Sequence, residues 1–193
     1  IIGYADWKDT KLYSCGKAAM NMSICIDSSD PKNIPGEVLV KGPNVFLGYY
    51  KNEEATAEVM DKDGWFHTGD MGVMDDEGFL FLKGRSKCMI LGPSGQNIYP
   101  EEIEGVLNNV TYVVDSLVVE DHGTLVSLIY PDYHQAELDG LSKSELEAKL
   151  QEALPEINKQ IPNYAKITKM EFMPEDFERT PKRSIKRYLY QRN

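Results

Sequence analysis

Three stretches of this 193-residue chain carry residue types that could do chemistry. In the first, Asp63-Gly64-Trp65-Phe66-His67-Thr68-Gly69-Asp70, an aromatic pair leads into Thr-Gly-Asp. Glycine lets backbone approach a ligand closely, and Asp70 offers two acceptor oxygens that suit the vicinal hydroxyls of a ribose. The same residues also fit a strand-end turn in which Asp70 caps a neighbour. The second stretch is Gly84-Arg85-Ser86-Lys87, continuing to Gly92-Pro93-Ser94-Gly95-Gln96-Asn97-Ile98-Tyr99-Pro100. A basic pair, a strand and a Gly-rich loop thus precede a helix start, an arrangement that can hold anions but also serves as a plain βα connection. The third is Thr180-Pro181-Lys182-Arg183-Ser184-Ile185-Lys186-Arg187. A basic tail on an acidic chain can seat phosphates by charge, and it also fits a solvated, frayed end.

Other chemistries lack their residues. There is no G-x-x-x-x-G-K-[ST] loop, no H-E-x-x-H and no G-x-S-x-G. His67, His122 and His134 are scattered, and no metal site is expected. Cys15, Cys25 and Cys88 are odd in number and in no ligand spacing, so they read as reduced thiols of a cytoplasmic protein. Asp75-Asp76-Glu77-Gly78 reads as a hairpin turn rather than a calcium loop, because no further carboxylate stands at loop spacing.

These residues must be positioned by elements the pattern also predicts. Ser23–Asp27, Glu37–Val40, Met71–Met74 and Phe79–Lys83 read as strands, and a helix runs from an Asn52 cap to Val59-Met60. Beyond Gly84, a strand is expected over Lys87–Leu91 and a helix opening at Pro100-Glu101-Glu102. Two β-branched runs follow, Tyr112–Val119 and Thr124–Tyr130, joined by a turn-like spacer. Ser142-Lys143-Ser144-Glu145 is a capping box, and Leu146, Leu150, Leu154, Ile157 and Ile161 then mark one helix stripe that Pro155 should kink or restart. A last strand spans Lys166–Met173. Strands and helices alternate without a clean parallel crossover pattern, so the expected class is α+β with a boundary near Gly84–Lys87.

Composition narrows the function classes. Twenty-one basic against thirty-one acidic residues give a net charge of −10, which disfavours nucleic-acid binding, where a positive field must displace counterions. No transmembrane segment is expected, since no apolar run approaches the ~20 residues needed to cross a bilayer. The chain opens Ile1-Ile2-Gly3-Tyr4 without a Met and reads as a piece of a longer protein.

Taken in order, Gly36-Glu37-Val38, Gly42-Pro43-Asn44, Gly48-Tyr49-Tyr50, Thr68-Gly69-Asp70, Gly84-Arg85-Ser86-Lys87 and Asn97-Ile98-Tyr99-Pro100-Glu101-Glu102-Ile103-Glu104 resemble the adenylate-forming superfamily. The form is most similar to the C-terminal part of long-chain fatty acid–CoA ligases. The resemblance implies a two-step reaction of a fatty acid with ATP, Mg²⁺ and CoA, through an acyl-adenylate to a thioester. It implies that residues 1–84 end a large AMP-binding domain, 85–87 form a hinge, and 88–193 form a small mobile α+β domain. Asp70 and Arg85 would bind the nucleotide, Lys87 would be the hinge residue, and Gly95, Gln96 and Asn97 would line the CoA tunnel. The N-terminal domain holding most of the ATP, the metal and the acid would precede Ile1, leaving this piece inactive alone. The catalytic lysine of the family would fall at Ser184; Lys182 and Lys186 each lie two residues away, and Lys186 is the expected substitute. Two alternatives keep the fold: a non-catalytic module binding a nucleotide, CoA or a partner, and an adenylation domain loading a carrier protein.

Overall fold

The structure, a computed structural model, describes residues 2–192. The chain divides into two compact units, Ile1–Cys88 and Met89–Asn193. In the first, β1 (Gly3–Tyr4) and β2 (Lys17–Ala18) form a short antiparallel pair. The strands β3 (Ser23–Asp27), β4 (Gly36–Lys41), β5 (Phe66–Met74) and β6 (Leu80–Arg85) then make an antiparallel sheet in chain order. Ile26, Val38, Val40 and Leu80 form its buried face. A short helix, α1 (Glu53–Ala57), lies between β4 and β5, and the Asn52 side chain accepts the Ala55 N–H at 3.0 Å. It is shorter than the expected 52–60 because it buries none of its own residues, so little packing extends it.

The β5–β6 turn shows why its acids are there. Asp75 Oδ1 accepts the N–H groups of Glu77 and Phe79, each at 2.9 Å, which closes the turn. Its other oxygen accepts from Lys11 at 2.6 Å, and this bond holds the carboxyl below its usual range.

The second unit begins with a small hairpin, β7 (Ile90–Leu91) and β8 (Asn97–Ile98). The strand expected over Lys87–Leu91 is therefore only partly present, because Ser86–Cys88 form a 3₁₀ turn. Helix α2 (Pro100–Leu107) starts on proline as expected, since its first N–H has no intrahelical partner to lose. Strands β9 (Val113–Asp121) and β10 (Thr124–Pro131) pair antiparallel around His122-Gly123, both at positive φ.

Between β10 and the last strand lie α3 (Tyr133–Leu138) and α4 (Lys143–Lys159). This crossover returns β11 (Ile167–Phe172) parallel to β10, so the unit contains one parallel pair that the alternation did not disclose. The Ser142–Glu145 capping box is formed, and Leu146, Leu150, Leu154 and Ile157 are buried. Pro155 lies inside α4 and does not end it. Pro155 and Gln151 are both exposed, so the carbonyl that loses its donor faces solvent, where its cost is lowest.

The three-stranded sheet is covered on both faces. Val118, Leu125 and Ile129 pack with the helices, while Leu117, Val119, Val126 and Leu128 pack with Phe177. Ile185 and Tyr190 of the tail join that second cluster. Leu107, Leu146 and Ile129 are fully buried, and trimming any one to alanine should cost about 2–5 kcal/mol.

Candidate functional site

The Thr-Gly-Asp stretch is a bulge in β5. Glu37 pairs with Met71 and Leu39 with His67, so three residues of β5 oppose Val38 alone. The extra backbone groups are satisfied locally. Thr68 Oγ1 donates to the Val38 carbonyl at 2.7 Å and accepts from the Asp70 N–H at 3.0 Å. The Glu37 carboxylate accepts the Gly69 N–H at 2.8 Å and meets His67 Nδ1 at 2.9 Å. Gly69 sits at φ 70°, a left-handed conformation that side chains disfavour.

The bulge turns Asp70 toward the neighbouring strand, where Arg85 is its register partner. Arg85 Nη1 donates to Asp70 Oδ1 at 2.6 Å and to the Thr68 carbonyl at 3.2 Å. The Asp70 side chain is 34% exposed. Arg85 thus fixes the Asp70 carboxylate through one oxygen, and Oδ2 makes no hydrogen bond among the described residues. A half-exposed oxygen held in place suits an incoming hydroxyl pair. Glu37 and Thr68, which build this bulge, were not among the expected site residues. Only the strand register reveals them.

Lys87 is exposed in the 3₁₀ turn Ser86–Cys88 that precedes the second unit. Gly95, Gln96 and Asn97 are exposed on the β7–β8 hairpin, closed by Gly92 N–H to the Gln96 carbonyl at 2.8 Å and Gly95 N–H to the Gly92 carbonyl at 2.9 Å. The Gly-rich loop is therefore a hairpin tip rather than a direct βα connection.

The basic tail is ordered by packing and ion pairs, which the frayed-end alternative did not anticipate. Arg179 binds Asp115 at 2.7 Å and Asp176 at 2.9 Å. Arg192 binds Asp121 at 2.9 Å and also Glu171, whose carboxyl is pulled down to about 2 chiefly by that arginine. Arg187 reaches Glu104, which also accepts the Val118 N–H at 2.7 Å on the free edge of β9. Burial pushes the Glu104 carboxyl above its usual range, and Arg187 opposes that shift. Glu104 is thus a structural acid joining α2, the sheet edge and the tail.

A short antiparallel hairpin carries Ser184. Arg179 and Ile185 are bridge partners, and the Thr180 N–H donates to the Ser184 carbonyl at 2.8 Å. Ser184 is exposed. Lys186 Nζ is held by Glu178 at 3.0 Å, and that bond raises its pKa. No group of three or more His, Cys, Asp or Glu residues able to hold a metal occurs among the described residues.

Comparison with solved structures gives the class. O-succinylbenzoate coenzyme A synthetase (MenE) from Bacillus subtilis, in complex with ATP and magnesium, matches with a TM-score of 0.75 at 28% identity, over 92% of this chain and 35% of that one. ATP-bound MatB from Rhodopseudomonas palustris matches with a TM-score of 0.70 at 27% identity, again over 92% and 35%. The fold is the mixed α+β fold of the C-terminal part of adenylate-forming enzymes.

The model of the AMP-binding enzyme C-terminal domain matches residues 89–193, and the chain belongs to that family, within the adenylate-forming superfamily. In sequence, the chain is 45% identical over 118 residues to a 2-succinylbenzoate–CoA ligase of Bacillus cytotoxicus, covering 60% of this chain and 24% of that protein. It is 44% identical over 113 residues to an indoleacetate–CoA ligase of Aromatoleum aromaticum, covering 56% and 22%. The chain thus spans about a quarter of the length of these curated relatives.

Proposed function

We propose that this chain is the C-terminal part of an AMP-forming acid–CoA ligase, which converts a carboxylic acid to an acyl-adenylate and then to a CoA thioester. The observation that carries the reading is the Asp70–Arg85 pair on the β5 bulge, in a chain of this family. Asp70 Oδ2 would accept the hydroxyls of the AMP ribose, and Arg85 would keep the carboxylate oriented. Lys87 would be the hinge residue between the unit ending near it and the C-terminal domain. Gly95, Gln96 and Asn97 would line the pantetheine path at the exposed hairpin tip, where small and amide side chains leave room for a thin chain.

ATP supplies the leaving pyrophosphate. Mg²⁺ would be held mainly by the ATP phosphates and by the large domain of the longer protein. The relatives' names specify 2-succinylbenzoate and indoleacetate, so they support a carboxylic acid as substrate. The narrower choice of a long-chain fatty acid rests on motif form alone, and we do not extend the proposal to it.

The test uses the longer protein that contains this chain. Acid-dependent release of pyrophosphate from ATP, followed by thioester formation with CoA, is the expected result. Asp70→Ala should weaken nucleotide binding by about 1–3 kcal/mol, the cost of lost hydrogen bonds to a charged acceptor, measured by calorimetry. Unchanged affinity would sink the assignment of Asp70. A second reading is favoured by Ser184, which cannot supply a positive charge: a module that binds the nucleotide without chemistry. Tight ATP binding with no pyrophosphate release for any acid would establish that reading instead.

A further inference from the structure

The Thr68–Gly69 peptide on the β5 bulge is gripped at both ends. Its carbonyl accepts from Arg85 Nη1 at 3.2 Å, and Arg85 belongs to β6. Its N–H donates to Glu37 Oε1 at 2.8 Å, and Glu37 belongs to β4. A trans peptide is planar, and its C=O and N–H point in opposite directions. The two bonds therefore act as one link: the side chain that fixes the N–H also aims the carbonyl. The guanidinium nitrogen on that carbonyl is the same Nη1 that holds Asp70 Oδ1 at 2.6 Å. Contacts thus run from Glu37 through one peptide plane to Arg85, and from there to Asp70.

The backbone alone does not keep this plane in place. Turning it over changes ψ of Thr68 and φ of Gly69, and glycine accepts either sign of φ. Gly69 stands at φ 70°. In the flipped plane the Thr68 carbonyl would face the Glu37 carboxylate and the Gly69 N–H would face the guanidinium, so both bonds would be lost. The Thr68 hydroxyl serves the neighbouring peptides, through the Val38 carbonyl and the Asp70 N–H, and leaves this one to Glu37 and Arg85. The Glu37 side chain is itself held, because Oε2 meets His67 Nδ1 at 2.9 Å. A carboxylate on a backbone N–H makes one of the stronger hydrogen bonds available for such a lock.

We propose that Glu37 is a positioning residue for the Asp70–Arg85 pair, acting through the Thr68–Gly69 peptide plane. Its effect on nucleotide binding rests on the reading above that Asp70 takes the ribose hydroxyls. What matters is reach. Oε1 must span from β4 to the Gly69 N–H while Oε2 stays on His67, so a side chain of the same length can do this and a shorter one cannot.

The first experiment follows the 193-residue chain by NMR. Glu37→Asp keeps the carboxyl but is one methylene shorter; it should speed both Gly69 amide exchange and rotation of the Arg85 guanidinium about fivefold or more. Glu37→Gln keeps the length and an acceptor for Gly69, and should stay within about twofold of wild type. An Arg85 guanidinium that moves no faster in Glu37→Asp overturns the proposal, since Glu37 would then hold Gly69 and nothing beyond it. Glu37→Gln decides the matter even where Glu37→Asp unfolds: a folded glutamine variant with a loosened Arg85 overturns it as well.

The second experiment measures AMP affinity of the longer protein by calorimetry. Glu37→Asp should weaken AMP about fivefold or more, and Glu37→Gln should restore it to within about twofold. In an Asp70→Ala background, Glu37→Asp should add less than about twofold, because the residue through which it acts is gone. An equal loss in both backgrounds means a general effect on stability and overturns the proposal. AMP affinity unchanged by Asp70→Ala, together with an Arg85 released by Glu37→Asp, refutes the ribose reading and leaves Glu37 as the residue that positions the pair.

Discussion

Gly69 shows how much rests on one residue without a side chain. It lies at φ 70°, and a Cβ there would come within 3.3 Å of Arg85 Nη2. Gly69→Ala should therefore cost about 1–2 kcal/mol of stability from left-handed strain, with the guanidinium of Arg85 giving way slightly. Urea unfolding gives the first number, and an unchanged midpoint would show that the bulge relaxes freely. Glu104 is the second decisive residue. Glu104→Ala leaves the Val118 N–H and the Arg187 cation without this partner, so a loss of about 3 kcal/mol is expected. Glu104→Gln keeps an acceptor and should lose much less. Because burial raises the folded pKa of Glu104 above its unfolded value, its contribution is fullest below the unfolded pKa and is lost as pH rises through the folded one. Wild type should thus gain on Glu104→Gln as pH falls below neutrality, measured by denaturation across pH; a flat difference would remove burial as the cause. The structure pairs the side chains of Asp70 and Arg85, of which Asp70 was singled out by residue type and Arg85 by the family resemblance. Glu37 and Glu104 were not, because one acts across a strand pair and the other on a strand edge, and neither relation is visible along the chain.

At the scale of elements, local rules did well wherever one segment carries its own instructions. The Ser142 capping box, the Leu146–Ile157 stripe, the Pro100 helix start and the Asp75 turn all depend on neighbours within a few residues. They failed where pairing decides. Met89-Ile90-Leu91 looks like strand core, yet only Ile90–Leu91 finds a partner, in Asn97–Ile98, so the strand stops short of Lys87. The parallel return of β11 was also hidden, since nothing in its own residues states which strand it will join. Pro155 does not restart the helix. Burial of Leu154 and Ile157 on either side outweighs a broken helix bond on the exposed face. Pro155→Ala restores a donor for the Gln151 carbonyl, worth up to about 3 kcal/mol, against about 1 kcal/mol of unfolded-chain entropy regained. A net gain of about 1–2 kcal/mol is expected in thermal unfolding. No rise in Tm would mean that the helix already bends to spare that bond.

At the scale of the whole molecule, two compact units meet in chain order at Cys88 and Met89, and residues 86–88 form a single 3₁₀ turn before that point. The expected boundary near 84–87 lies just before it, read from a change in texture and from family resemblance, with no flexible linker to mark it. A short connection of this kind concentrates any reorientation into a few backbone dihedrals. Lys87 carries an exposed side chain, so its substitution perturbs the backbone and little packing. Lys87→Pro would lock φ near −65° and remove one N–H. If the two half-reactions of the longer protein use different orientations of the C-terminal domain, the locked backbone can favour only one of them. In Lys87→Pro, either adenylation or thioester formation should fall at least tenfold while the other stays within about threefold, a differential of at least ~0.7 kcal/mol in activation free energy. Pyrophosphate release reads the first step, and CoA consumption from preformed acyl-adenylate reads the second. Lys87→Ala is the matching control, since it removes the side chain and leaves φ free, and it should leave the ratio of the two rates unchanged. Equal loss of both steps in Lys87→Pro, with a lowered Tm, would mean that the turn serves folding and that the pivot lies elsewhere.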